Sequence, residues 1–146
     1  MTLKPPLTAA RLASVAALAG IDSREVESVF VCEAWSAELA TGLLRLGAET
    51  SFLHGTGGVP CGVMDLIRLY DPADWATVLQ ALEDAATAPV TFSYATTIRP
   101  APGLYRQVFC FGQSETAGAS GGAINGTFAV ARLCVEMGTT RPGSLN

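Results

Sequence analysis

Few residues in this 146-residue chain could do chemistry. It has one histidine, His54, and four cysteines, Cys32, Cys61, Cys110 and Cys134. A zinc site needs about four ligands at short characteristic spacings, and no Cys-x-x-Cys pair occurs here. A single histidine also gives the sequence no basis for a Ser-His-Asp triad. We therefore expect no metal site and no catalytic residues, and we interpret the cysteines as buried free thiols in a reducing cytoplasm.

Two other patterns invite a chemical interpretation. Residues 54–62, HGTGGVPCG, form a glycine-rich segment, but it lacks the Gly-Lys-Ser/Thr ending of a P-loop, and a GxGxxG pattern does not occur. We interpret it as a connecting loop and His54 as a solvated or hydrogen-bonded surface residue. Asp71 and Asp74 could form an acid/base pair of carboxylates. With Pro72 between them, they are better explained as the capped start of a helix.

Composition and charge exclude several classes of protein. Apolar residues make up 49% of the chain and charged residues 15%, which is too apolar for a disordered segment. The net charge is −4 and Lys4 is the only lysine, so nucleic acid and anionic membranes are not expected partners. The apolar residues 8–20 are interrupted by Arg11 and Ser14, short of the roughly 18 residues of a membrane span. We predict one soluble, cytoplasmic domain without membrane insertion.

The first half of the chain alternates between helix and strand signals. Residues 8–20 predict a helix, although residues 12–21 could instead form a first strand, and that alternative stays open. Residues 29–34, VFVCEA, predict a strand that ends at Trp35. Ser36 is a suitable N-cap, and a stripe at i, i+4 and i+7 predicts a helix that ends at Gly47. That stripe consists of Leu39, Leu43 and Leu46.

The second half gives the clearest signals. Asp71 and Pro72 start a helix whose apolar face continues to about residue 86. Three strands then follow, in residues 90–99, 104–113 and 123–135, and short connections predict an antiparallel meander. Strands, helices and a meander in this order indicate an α+β domain.

The order of these elements resembles that of a PAS domain, in particular the PAS-3 type of bacterial signalling proteins, over residues 28–135. Residues 35–39 (WSAEL) resemble the family's W-S-x-E-L/F, which ends a strand and opens a helix. Residues 66–74 (LIRLYDPAD) resemble its L-I-H-P-D-D segment. Residues 94–103, 108–112 and 126–128 resemble its last three strands. The usual His before Pro-Asp-Asp is missing, Gln107 stands where Trp is usual, and residues 129–132 (AVAR) replace the acidic D-I-T ending.

The resemblance implies a five-stranded antiparallel sheet with short helices on one face and an N-terminal helix, with Trp35 packed at the corner. We assign residues 1–20 to a helical extension, 21–135 to the PAS domain and 136–146 to a flexible tail. The implied function is a sensory or regulatory module that acts in signal transduction as a homodimer and with signalling partners such as histidine kinases. We expect no flavin or haem cofactor, because the N-C-R-F-L-Q motif and a histidine on the helix before the meander are both absent.

The resemblance also implies two sets of functional residues. Side chains turned toward the helices would form the core or a pocket for a small apolar ligand: Tyr94, Thr96, Val108, Cys110, Ile124 and Phe128. Side chains on the outer face would form a partner surface, covered by the helix of residues 8–19 from the same chain or from a second copy: Tyr105, Phe109, Phe111, Thr127, Ala129 and Ala131. We expect no charged residue at the inward strand positions and therefore no enzyme; the alternative is a small α+β enzyme or metabolite-binding protein.

Overall fold

The computed structural model describes residues 9–115 and 122–136, and the side chains of residues 12–114 and 122–136. Seven strands form one antiparallel sheet in the order β3-β2-β1-β6-β5-β4, with β7 paired to β5. The strands are β1 Phe30–Glu38, β2 Leu43–Leu46, β3 Cys61–Gly62, β4 Thr91–Ala101, β5 Leu104–Glu115, β6 Ala123–Ala131 and β7 Val135–Glu136. The predicted α+β class is confirmed; β3 and β7 are two-residue additions to the five longer strands.

The helices lie on both sides of the sheet. Helix α1 and the short α2 pack on its outer face, while α3, α4 and α5 pack on its inner face. The helices are α1 Ala9–Ala19, α2 Val26–Val29, α3 Ala48–His54, α4 Val63–Ile67 and α5 Trp75–Thr87, with 3-10 turns at Ser23–Glu25 and Pro72–Asp74. Of the two alternatives for residues 12–21, helix or first strand, the structure shows the helix, which ends at Ala19.

The predicted switch from strand to helix at Trp35 is wrong. Strand β1 continues through Trp35 to Glu38, and Ser36 pairs with Arg45 of β2 on one side and Asn125 of β6 on the other. The residues predicted to form a helix instead form a β1–β2 hairpin. Pairing on both sides gives β1 two ladders of backbone hydrogen bonds, which outweighs a helix propensity of only a few tenths of a kcal/mol per residue. The WSAEL stretch therefore does not open a helix.

The second half of the chain follows the sequence prediction closely. The carboxylate of Asp71 accepts a hydrogen bond from the backbone N–H of Ala73 at 3.0 Å, with Pro72 in the first turn. Strands β4, β5 and β6 pair in succession, so the predicted antiparallel meander is confirmed. Val108 and Cys110 face the inner helices and Phe109 faces α1, as the alternation of side chains along a strand predicts.

Trp35 has the packing role predicted for it, but in the middle of the sheet. Its indole N–H donates a hydrogen bond to the carbonyl oxygen of Phe111 at 3.2 Å, across Gly126. A Cβ atom at Gly126 would overlap that carbonyl oxygen and the indole ring. The tryptophan therefore fills the space that the glycine leaves open, and it also contacts the ring of Phe128 with centroids 5.5 Å apart.

Candidate functional site

The predicted pocket residues lie together on the inner face of the sheet, where they form part of the core. All six are buried, with relative exposures between 0% and 6%. Helix α5 packs on β4 and β5, with Val78 and Leu82 in the same cluster, and α3 packs on β6. The hydroxyl of Thr96 donates a hydrogen bond to the carboxylate of Asp74 at 2.7 Å. Of the six, Ile124 lines a cavity of about 220 Å³, between the β1–β2 hairpin and α5. Ligand binding by these residues stays a prediction.

His54 is not the surface residue that the sequence predicted. It lies in the last turn of α3, is 3% exposed, and makes two hydrogen bonds. Its Nδ1 lies 2.9 Å from the carbonyl oxygen of Thr50, and its Nε2 lies 3.0 Å from the hydroxyl of Tyr70. Because α3 extends through His54, with Gly55 as its C-cap, the His54 side chain belongs to the helix and turns toward the core. The glycine-rich loop is thus confined to residues 55–60.

His54 is one end of a row of buried polar side chains, His54, Tyr70, Tyr94 and Cys110, which we call the polar chain. A carbonyl can only accept, so Nδ1 of His54 carries the proton and Nε2 accepts from Tyr70. The ring of Tyr70 lies edge-on to that of Tyr94, with centroids 6.0 Å apart, and Tyr94 pairs with Cys110 of the neighbouring strand. Burial lowers the pKa of His54 to about 4 and raises the pKa of Tyr70 and Tyr94 well above the usual range. At neutral pH His54, Tyr70 and Tyr94 are therefore uncharged, which suits their apolar surroundings.

The His54 end of the polar chain reaches a cleft of about 530 Å³. The cleft opens between the end of α3, the start of α5 and the ends of β4 and β5. Its floor is formed by His54, Tyr70 and aliphatic side chains, and its rim carries Arg68, Arg99, Arg106, Phe52 and Trp75. Four separate segments contribute these residues, so no local pattern in the sequence could have revealed the cleft.

Glu33 corrects a second prediction about the core. The sequence predicted no charged residue at the inward strand positions. Glu33 on β1 nevertheless faces the inner helices and is 4% exposed. Its Oε1 accepts a hydrogen bond from the backbone N–H of Thr50 at 2.7 Å, in the first turn of α3. A carboxylate is favoured there by the exposed backbone amides of a helix N-terminus. Gly47 makes room for it, because a Cβ atom at that position would collide with the Glu33 side chain.

The predicted partner surface lies on the outer face, under α1. Phe109, Phe111 and Ala129 are buried with Val15 and Ala16 of this helix. In this single chain, α1 packs on its own sheet. Thr127 is buried as well, while Ala131 and Tyr105 are partly buried. A role for these residues in binding a partner stays a prediction.

The cysteines do not gather into a site. All four are thiols, and burial raises the pKa of Cys32 to about 11 and raises that of Cys61. Among residues 9–115 and 122–136, no three His, Cys, Asp or Glu side chains are grouped so as to hold a metal ion. In the same ranges, no helix has the length and apolar character needed to cross a bilayer.

Comparison with known proteins supports the fold and little more. No family model and no curated protein sequence matches the chain. The solved structure of an RNA-binding light-oxygen-voltage receptor is similar, with a TM-score of 0.56 and 11% sequence identity; the match covers 77% of this chain and 31% of that one. Light-oxygen-voltage receptors contain a PAS-family domain, so the present chain has a PAS-like fold. At this level of identity the likeness establishes the fold alone.

Proposed function

We propose that the chain is a sensory or regulatory module of the PAS-3 type, which acts in signal transduction through contacts with a second copy of itself and with signalling proteins such as histidine kinases. The PAS-like fold supports the sensory class, since the similar solved structure is that of a receptor. The observation that carries the proposal is the outer face of the sheet. It is apolar, and within the described residues α1, an 11-residue helix, is its main cover.

Helix α1 is suited to being displaced. A helix of this length is only marginally stable in water by itself, so it depends on its docking surface. Among its described side chains, those of residues 12–19, the buried ones are Val15 and Ala16, and both are small. Displacement would expose Phe109 and Phe111, and leaving each ring in water would forgo roughly 1.5–3 kcal/mol. A second copy that covers these rings would recover that free energy. The proposed interface is Tyr105, Phe109, Phe111, Thr127, Ala129 and Ala131.

Sedimentation velocity tests this proposal. We expect Val15→Asp, which places a charge under α1, to raise the dimer fraction at micromolar concentrations. Adding Ala131→Glu to that variant should return it to a monomer. The matched control is Leu18→Asp, which adds the same charge at an α1 position that is 51% exposed and should leave the association state unchanged. A folded Val15→Asp variant that stays monomeric at high micromolar concentration would rule out dimerisation through this face.

Binding of a small apolar or amphipathic molecule in the core is a second candidate function, favoured by the polar chain. Tyr94 and Cys110 place hydrogen-bonding groups at the centre of an otherwise apolar cluster, where a ligand could be oriented by them. A thermal-shift screen of apolar metabolites tests it. Hits should lose their effect in Tyr94→Phe but keep it in Tyr105→Phe, because Tyr105 lies outside the inner cluster. The absence of stabilising compounds would leave protein–protein contact as the sole proposed function.

A further inference from the structure

We propose that the cleft beside His54 binds a planar aromatic carboxylate. This inference goes beyond the proposed function and does not depend on it. The cleft lies at one end of the sheet, and none of the proposed partner-surface residues lines it. Its volume of about 530 Å³ lies within the range of small-molecule sites.

The strongest observation is the environment of Arg106. This half-buried guanidinium lines the cleft, and its Nη1 donates hydrogen bonds to the carbonyl oxygens of Ala131 and Arg132 at 2.6 and 2.7 Å. Its Nε is buried without an acceptor, and no carboxylate within the described ranges forms an ion pair with it. A cation withdrawn from water and held only by neutral carbonyls is stabilised by an anion placed beside it.

Two further arginines extend this positive rim. The chain has a net charge of −4 and nine Lys and Arg residues in all, three of which line this one cleft. Nη2 of Arg99 lies 3.3 Å from Oδ2 of Asp71, and Nη1 of Arg68 lies 3.5 Å from Oδ1 of Asp65. Neither aspartate lines the cleft itself. These ion pairs position the guanidinium groups. Each keeps further N–H donors for a carboxylate, which guanidinium binds in a bidentate manner.

The aromatic residues and the floor select for a flat ring. Trp75 is fixed by a hydrogen bond from its indole N–H to the carbonyl oxygen of Tyr70 at 2.9 Å, while its ring stays 39% exposed. Phe52 also lines the cleft and is 80% exposed. In the floor, His54 and Tyr70 already satisfy one another and offer aromatic surface rather than donors. A ring can therefore stack against Trp75 over an apolar floor while its carboxylate meets the arginines.

Titration of the ¹⁵N-labelled protein by NMR tests the proposal, with benzoate as the probe. The two tryptophans supply an internal comparison, because Trp75 lines the cleft and Trp35 is buried in the core. We expect benzoate to shift the Trp75 signal saturably, with a millimolar dissociation constant, and to leave the Trp35 signal in place. Benzamide has the same shape without the charge and should bind at least fivefold more weakly. Acetate has the charge without the ring and should not saturate.

Variants separate a specific site from general charge attraction. Arg99→Gln and Trp75→Leu should each weaken benzoate binding at least fivefold, and Arg106→Gln should do the same if it folds. Arg45→Gln is the matched control, because it removes the same charge from an exposed position on β2. Equal binding of benzoate and benzamide, or an equal loss in Arg45→Gln and Arg99→Gln, would overturn the proposal. Neither result bears on dimerisation through the outer face, which is measured with other variants.

Discussion

The two faces of the sheet are both apolar, but they are covered in different ways. The inner face lies under α3, α4 and α5, and most of the buried polar groups are on this side, including Glu33, His54 and Thr96. The outer face lies under α1 and α2, and its cluster is made of aliphatic and aromatic side chains. Hydrogen bonds between buried groups require one fixed arrangement, whereas apolar contact is non-directional. We therefore expect the inner face to hold a single arrangement and the outer face to accept a change of cover more readily.

The largest effect should come from the glycine at the centre of the inner face. In Gly126→Ala the added Cβ would overlap the carbonyl oxygen of Phe111, which belongs to the backbone of the neighbouring strand. Strands β5 and β6 would have to separate, and we expect a loss of about 4 kcal/mol or no folded protein. In Gly112→Ala the nearest neighbours are atoms of the Phe92 ring, which can move, so about 1–3 kcal/mol is expected. Urea unfolding measures both, and equal losses would contradict this account.

A pair of phenylalanines compares the two faces directly. Phe128 on the inner face and Phe109 on the outer face are 0% and 2% exposed. Truncating a buried phenylalanine costs about 3–5 kcal/mol. We expect about 4 kcal/mol for Phe128→Ala and about 3 kcal/mol for Phe109→Ala, because α1 can shift toward the gap. Hydrogen exchange should show faster exchange of α1 amides in Phe109→Ala alone. Equal exchange of α1 in both variants would mean that the helix is not a separable cover.

The polar chain gives the inner face a pH dependence that the outer face lacks. Burial lowers the pKa of His54 to about 4, from an ordinary value near 6.5. The unfolded chain takes up this proton near pH 6.5 and the folded chain does not, so the stability is complete above pH 6.5 and is lost as the pH falls toward 4. Between pH 7.5 and 5 we expect about 2 kcal/mol of lost stability.

The variant His54→Gln isolates this contribution, since its amide does not titrate. We expect its stability to stay nearly constant between pH 7.5 and 5 in urea unfolding experiments. Phe109→Ala keeps the histidine and should retain the loss seen in the wild type. If His54→Gln loses as much stability as the wild type over this range, another group is responsible for the titration.

A smaller effect should follow from neutralising Glu33. In Glu33→Gln the hydrogen bond from Thr50 can persist while its acceptor loses its charge, and we expect a loss of about 1–2 kcal/mol. The control Glu49→Gln removes a charge from the first turn of the same helix at an exposed position, and should cost about 0.5 kcal/mol. Similar losses in the two variants would show that burial of Glu33 adds nothing to its interaction with α3.

The sequence by itself determined the features that depend on neighbouring residues. The start of the helix at Asp71 and Pro72 follows from a side chain that bonds an amide two residues away. The faces of β4 and β5 follow from strict alternation, which places Val108 inward and Phe109 outward. The α+β class and the meander follow from the order of such elements. The sequence left residues 12–21 open between a helix and a first strand, and the structure shows the helix Ala9–Ala19.

Only the tertiary structure decided the features that depend on distant residues. Trp35 lies within a strand because β2 and β6 pair with it from both sides, and local propensity is too weak to oppose two ladders of hydrogen bonds. Glu33 is buried because α3 presents its first turn there, and His54 is buried because Tyr70 supplies a partner. The cleft is assembled from four segments, so its arginines converge only after the chain has folded. A pattern in a sequence records the period of side chains along one element, and it does not record which elements meet.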